Sequence, residues 1–269
     1  MTNSYQLPAS AVSDYQRDGA VVLRGVLSPQ QVTLLAQGIE HNLQHLSPLA
    51  QVASKTDDPG RFIEDFCTWQ SNPAYEQIMR NSALPEVSRA LMHSSSVRIY
   101  HDHLLVKEPG TRQPTPWHQD QPYYNVSGRQ NVSFWIPVDP VPLESTLRFV
   151  AGSHAGTWYM PRTFRDNRAK WFPDGALAEL PAIDANPDRY HQLGWALEPG
   201  DAVAFHMLTL HASGCVSPTQ RRRVFSARYL GDDGRHAVRP WRTSPPFPGL
   251  SEGLPDGAAM EDALFPLVP

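Results

Sequence analysis

Two stretches of the chain place histidine where it can do metal chemistry. The first is Trp117-His118-Gln119-Asp120. On a strand, residues two apart share a face, so His118 and Asp120 would present one imidazole and one carboxylate to a common point. A mononuclear non-haem iron centre needs that pair and a second histidine. By itself the pair also describes two ordinary surface polar residues. The second stretch, Phe205-His206-Met207-Leu208-Thr209-Leu210-His211-Ala212-Ser213-Gly214, offers two candidates for the missing imidazole. The small residues after His211 let a ligand approach the backbone. His206 lies five residues earlier, and on a continuous strand it would face the other way, which reads as a structural role. Arg221, Arg222 and Arg223 follow. Arg222 stands 222 − 211 = 11 residues after His211, on the next strand if a hairpin intervenes. Its planar fork suits a carboxylate. A solvated charged edge is the other reading of three arginines in a row. Strand neighbours point to opposite faces, so only one register of the three can be right.

Other clusters are weaker. His101-Asp102-His103 has the His-x-His form of cupin-type metal sites, but no glutamate follows at a matching strand spacing. Substrate contact, or a strand with polar residues facing out, suits it better. Lys107 on the same strand can reach a cofactor or substrate, or be a solvated strand end. Tyr123 directly follows the His118–Asp120 pair and is the best aromatic candidate for a substrate pocket. Trp135 reads as core. His154 shapes the turn after 147–150. Arg162, Arg165, Arg168 and Lys170 can meet an anionic group or form a solvated loop face.

The elements that must hold these residues are legible in part. Ser28-Pro29-Gln30-Gln31 is a helix start with a capping box, and Val32, Leu35, Ala36, Ile39 and Leu43 continue it on one apolar face. Asn72-Pro73 starts a second helix, and a third runs from about Pro85 to Met92. Short apolar runs predict strands at 20–23, 97–106, 132–136, 147–150, 202–205 and 223–229. Glu198-Pro199-Gly200-Asp201 predicts a tight turn before the strand that leads to His211. The stretch 153–195 has no clean periodicity and is either a lid or a surface excursion. The 26 prolines among 269 residues, about twice average usage, argue against long helices and for strands joined by turns. Helices first and strands after describe an α+β chain, mainly β, with an antiparallel sandwich or barrel core.

Composition excludes several classes. A net charge of -4 leaves no basic excess to track a phosphate backbone, so no nucleic-acid partner is expected. No apolar run reaches membrane-span length. The N-terminus does not read as a signal peptide. Cys67 and Cys215 make no disulfide framework. A cytoplasmic protein with reduced thiols is expected, and its oligomeric state is left open.

Taken together, His118-x-Asp120, His211 in Leu210-His211-Ala212-Ser213-Gly214 and Arg222 eleven residues on resemble the phytanoyl-CoA dioxygenase family. Tyr15-Gln16-Arg17-Asp18-Gly19-Ala20-Val21-Val22-Leu23, Ala151-Gly152-Ser153-His154 and Pro199-Gly200-Asp201 resemble it too, in the same order. The likeness runs from about residue 12 to about 230. It implies a double-stranded β-helix, a jelly-roll or cupin-like core with the N-terminal helices packed outside. It implies one oxygenase domain over 1–269: a helical part to about 95, a core over about 96–230 with the insertion 153–195, and an irregular tail over 231–269. It implies an Fe(II)- and 2-oxoglutarate-dependent oxygenase that uses O2 and hydroxylates a small-molecule substrate. His118, Asp120 and His211 would hold the iron. Arg222, with Ser213, would hold the cosubstrate, and Tyr123 and Lys107 would face the substrate. Related halogenases have a small residue in place of the aspartate, so Asp120 points to hydroxylation. The segment Pro142-Leu143-Glu144-Ser145-Thr146-Leu147 departs from the family's pattern by lacking its turn glycine. The alternatives are a non-catalytic jelly-roll binding protein and a cupin-like metalloenzyme without 2-oxoglutarate.

Overall fold

The computed structural model describes residues 5–161, 176–216 and 219–268. Arg162, Arg165, Arg168 and Lys170, and with them much of the expected lid, lie outside the described residues. The helices are α1 (Ala11–Asp18), α2 (Pro29–Gln44), α3 (Pro73–Asn81), α4 (Leu84–Met92) and α5 (Leu250–Gly253). The strands are β1 (Ala20–Leu23), β2 (Gln51–Val52), β3 (Phe62–Phe66), β4 (Val97–Lys107), β5 (Thr115–His118), β6 (Val126–Ser127), β7 (Asn131–Pro137), β8 (Leu147–Val150), β9 (Gln192–Gly194), β10 (Ala202–Phe205), β11 (His211–Ser213), β12 (Arg222–Leu230), β13 (Arg235–His236) and β14 (Leu267–Val268).

The strands form two main antiparallel sheets. The larger runs β1-β10-β7-β12-β4-β3-β2, with β14 added beside β4; the smaller runs β5-β11-β8-β9. Their facing surfaces make a jelly roll rather than a closed barrel. Alternation along each strand sorts the side chains. On β12, Phe225, Ala227 and Tyr229 face outward and pack with Leu35, Ile39, Tyr75 and Ile78 of the helices. On the inner side, Val224, Trp135, Phe149, Val203 and Phe205 fill the space between the sheets. The N-terminal helices therefore cover the back of the larger sheet and leave its inner face for chemistry.

Local chemistry starts and stops these elements. Ser28 and Gln31 close the expected capping box of α2: Ser28 N–H donates to Gln31 Oε1, and Gln31 N–H donates to Ser28 Oγ. Gly200 takes φ +105° in the turn before β10, and its carbonyl accepts from Leu27 N–H at 3.0 Å. The N-terminal third carries strands as well as helices, because β3 joins the larger sheet beside β4. The tail is mostly irregular but not idle. Leu250, Leu254, Met260 and Phe265 pack on Tyr100, Tyr123 and Tyr124 and close one end of the sandwich. Among the described residues, no helix is long and apolar enough to cross a membrane.

Candidate active site

The two histidines meet through strand pairing. β11 and β5 are antiparallel neighbours, and His211 stands directly opposite His118. Their ring centroids are 4.1 Å apart. Each ring is fixed the same way: His118 Nδ1 lies 2.8 Å from Pro116 O, and His211 Nδ1 lies 2.9 Å from Thr209 O. A carbonyl only accepts, so each Nδ1 carries the proton and each Nε2 presents its lone pair. Asp120 completes the set, but not by strand alternation. β5 ends at His118, and Asp120 has turned into a helical conformation at the start of a 3₁₀ turn, Gln121–Tyr123. The expected single strand through both residues is thus corrected. Asp120 N–H and Gln121 N–H both donate to Met207 O, at 2.8 and 2.9 Å, and this anchors the turn to the loop before β11.

Asp120 Oδ1 lies 3.5 Å from His118 Nε2 and 3.7 Å from His211 Nε2. Two imidazole nitrogens and one carboxylate oxygen converge, and all three residues are buried. This donor set suits Fe(II). The other carboxylate oxygen, Oδ2, accepts from Arg228 Nη2 at 3.1 Å and from Ser133 Oγ at 3.5 Å. Burial works to raise the Asp120 carboxyl, but Arg228 and the two imidazoles outweigh it and hold it well below the usual range. Burial, with His118 nearby, pushes the His211 imidazole down to about 3. The site therefore joins an ionised Asp120 carboxylate to a neutral His211 imidazole. Phe205 and Phe149 pack against the His211 ring, at 4.7 and 5.9 Å between centroids.

The three arginines separate as alternation requires. Arg221 and Arg223 face outward, paired with Glu40, Glu108 and Asp139. Arg222 faces inward, in the wall of the cavity that holds His118, Asp120 and His211. It sits at the start of β12 on the larger sheet, not on a hairpin from β11, which belongs to the smaller one. Its guanidinium donates to Ser145 O and to Ser213 Oγ, the latter at 3.3 Å, and lies 5.3 Å from the Trp135 ring centre. No carboxylate pairs with it among the described residues. Burial brings its pKa down to about 10. Ser145 comes from the glycine-free turn, which folds as a 3₁₀ turn over Leu143–Ser145.

The remaining candidates fall into different places. Lys107 is no solvated strand end: it is fully buried opposite Arg222, and its Nζ donates to Gln113 O at 2.7 Å and Gly214 O at 3.2 Å. Tyr123 stands edge-on to His118 at 6.1 Å between ring centres. His206 is structural, its Nδ1 accepting from Leu208 N–H and its Nε2 beside Arg129 O. His154 lies in the 3₁₀ turn after β8. Arg228, and Glu64 as the partner of His103 at 3.0 Å, went unread in the sequence; His103 and Arg228 line the cavity. The signal for Arg228 was available: it lies an even number of positions after Arg222 on the same strand, hence on the same face. A hollow of about 920 Å³ is a different place. It lies on the outer face of the smaller sheet among Trp117, Arg148 and Ala212, whose neighbours His118, Phe149 and His211 point inward.

Known proteins share this architecture. The profile of the phytanoyl-CoA dioxygenase (PhyH) family matches residues 15–224. The multifunctional dioxygenase prhA of Penicillium brasilianum is 24% identical over 253 residues, 87% of this chain and 76% of that protein. A probable phytanoyl-CoA dioxygenase of Caenorhabditis elegans is 21% identical over 240 residues, 81% of this chain and 74% of that protein. Among solved structures, the non-heme alpha ketoglutarate dependent carbocyclase SnoK of nogalamycin biosynthesis superposes with a TM-score of 0.76 at 23% identity, over 98% of this chain and 97% of that one. The epimerase SnoN, in complex with Fe3+, alpha ketoglutarate and nogalamycin RO, gives 0.76 at 20% identity, over 96% and 97%.

Proposed function

This chain belongs to the phytanoyl-CoA dioxygenase family, and from that premise we propose that it is an Fe(II)- and 2-oxoglutarate-dependent oxygenase that hydroxylates an unactivated C–H bond of a small or medium organic molecule. The observation that carries the reading is the pairing of one converging His-Asp-His set with one buried arginine that lacks an anion. His118 Nε2, His211 Nε2 and Asp120 Oδ1 would hold the iron on one face. Arg222, supported by Ser213 and flanked by Trp135, would take the distal carboxylate of 2-oxoglutarate. When bound, the iron supplies activation of O2 coupled to decarboxylation of the cosubstrate. The overall change balances: substrate, 2-oxoglutarate and O2 give hydroxylated substrate, succinate and CO2, with one oxygen atom in each of the first two products.

The chain's own groups do the positioning. The Nδ1 anchors on Pro116 O and Thr209 O aim both imidazoles. Arg228 and Ser133 occupy one oxygen of Asp120, which leaves the other toward the histidines. Phe205, Trp135 and Leu147 line the same cavity and keep it dry. A carboxylate at 120 supports hydroxylation rather than halogenation.

The test is direct. Fe(II) is added to metal-free protein without oxygen, then 2-oxoglutarate, and the visible metal-to-ligand charge-transfer band is sought. Succinate release is then measured with oxygen across a panel of organic substrates. A band and substrate-stimulated succinate support the reading; their joint absence sinks it and returns the chain to a non-catalytic jelly roll.

A further inference from the structure

The inner face of the larger sheet carries cations at two separated places. β4 and β12 pair along their length, so their inward side chains stand in couples: Arg222 with Lys107, Val224 with Leu105, Ser226 with His103, and Arg228 with His101. The first couple closes the end proposed for 2-oxoglutarate. The last two lie beyond an apolar middle, at the other end. A bulge sets this arrangement: Arg228 pairs with His101 but Tyr229 pairs with Ile99, so Tyr100 is the extra residue.

At that second end, four buried polar atoms make no hydrogen bond: Arg228 Nε and Nη1, Ser226 Oγ and His101 Nε2. Their residues are 3%, 1% and 1% exposed. A guanidinium keeps its charge and all its donors in any protein environment. Arg228 is engaged on Asp120 through Nη2 and meets the Tyr124 side chain, while Nε and Nη1 stay unpartnered. Leaving the rest dry is unfavourable, and so is a buried serine hydroxyl with no partner. Ser226 and Arg228 line the cavity that holds the triad. His101 lines a second chamber of about 210 Å³, walled by Trp69, Tyr100 and Phe247. Tyr124 bridges the two, its ring 5.0 Å from the His101 ring and 5.7 Å from the Arg228 guanidinium carbon.

We propose that Arg228 and Ser226 seat a carboxylate of the substrate, so that the substrate is an organic acid whose unsaturated or aromatic part lies among Trp69, Tyr100 and Phe247. The proposal rests on the iron and 2-oxoglutarate reading of the triad. Its test uses a matched pair of probes, cinnamate and cinnamamide. Binding is read by quenching of tryptophan fluorescence in metal-free protein, and by perturbation of the charge-transfer band in anaerobic protein loaded with Fe(II) and 2-oxoglutarate. Cinnamate is expected to bind about tenfold or more tightly than the amide, as charge-assisted hydrogen bonds require. Ser226→Ala and Arg228→Gln should each shrink that preference. Ser226→Ala removes an unpartnered hydroxyl, so its fold is retained, and a melting curve checks both variants. Equal binding of the two probes, no response to cinnamate, or a preference that survives both substitutions overturns the proposal and leaves the seat to water. A wild-type protein with no band refutes the iron reading instead, and the fluorescence arm still decides the seat.

Discussion

At the scale of single residues, each functional side chain is defined by what holds its far side. His118 and His211 are aimed by carbonyls two positions earlier, and Asp120 by Arg228. Replacing Asp120 with glycine removes the only carboxylate in the converging set. Asp120→Gly should therefore abolish hydroxylation while the protein stays folded, as product analysis beside a circular dichroism spectrum would show. Full activity would mean that Asp120 is no ligand. Arg222→Ala leaves Ser145 O and Ser213 Oγ without their buried donor and removes the cation proposed for the cosubstrate. The KM for 2-oxoglutarate should rise about tenfold to a hundredfold, the size expected for losing a buried charged hydrogen bond. Arg221→Ala is the control. Its side chain is 31% exposed and pairs at the surface, where such contacts contribute about 0–1 kcal/mol. An equal rise in KM for both variants would refute the assignment of Arg222. The pattern His-x-Asp, His and Arg was legible in the sequence because those types are rare together in that order. Arg228 shares the face of Arg222 by its even spacing, but its partner, Asp120, is 228 − 120 = 108 residues away and is not written in the strand.

At the scale of elements, the ligands are placed by strand register and by short loops rather than by any one motif. The strands over 20–23, 97–106, 132–136, 147–150, 202–205 and 223–229 were legible from apolar runs, and α2 and α3 from their caps. β3 was not, because Glu64 and Asp65 interrupt it. Those acids are buried and partnered, Glu64 by His103 and Asp65 by Asn42 and Ser47, and a sequence shows only that they are charged. The turn at Asp120 was hidden for a similar reason: its anchor, Met207 O, is 207 − 120 = 87 residues away. Gly19 shows how such long-range anchoring constrains one position. It ends α1 with φ +77°, and its carbonyl accepts from His206 N–H at 2.8 Å and Thr209 Oγ1 at 2.7 Å. A Cβ there would come within 2.4 Å of His154 Nδ1 and 2.5 Å of Thr209 Oγ1. Gly19→Ala should thus cost about 1–3 kcal/mol from backbone strain and crowding. The melting midpoint should fall by several degrees, and because the loop 206–209 leads into β11, Fe(II) affinity should fall with it. An unchanged midpoint would show that the loop yields freely.

At the scale of the whole molecule, an acidic chain holds Lys107, Arg222 and Arg228 buried on the inner face of its larger sheet. The net charge of -4 gives no long-range attraction for anions, so an anionic cosubstrate must be caught locally by a cation such as Arg222. Enclosing that chemistry has also buried many histidines, and this sets the response to acid. Burial lowers the imidazoles of His101, His103, His154, His206 and His211, to about 3 for the last but one and the last. In the unfolded chain they titrate near 6.5. Between those values the unfolded state binds protons that the native state refuses, so stability rises with pH there. The contribution is complete above about pH 6.5 and is lost progressively as pH falls toward the native values. Asp102 opposes it: burial raises its carboxyl to about 6, so between its unfolded and native values the native state holds the extra proton. One carboxyl against five imidazoles leaves the balance acid-labile. The metal-free protein should melt several degrees lower at pH 5.5 than at pH 7.5, with net proton uptake on unfolding at the lower pH. Bound Fe(II) should widen the gap, since protons compete with it for His211. A melting midpoint that is flat or rising toward pH 5.5 would show that these rings take up protons without leaving the native packing.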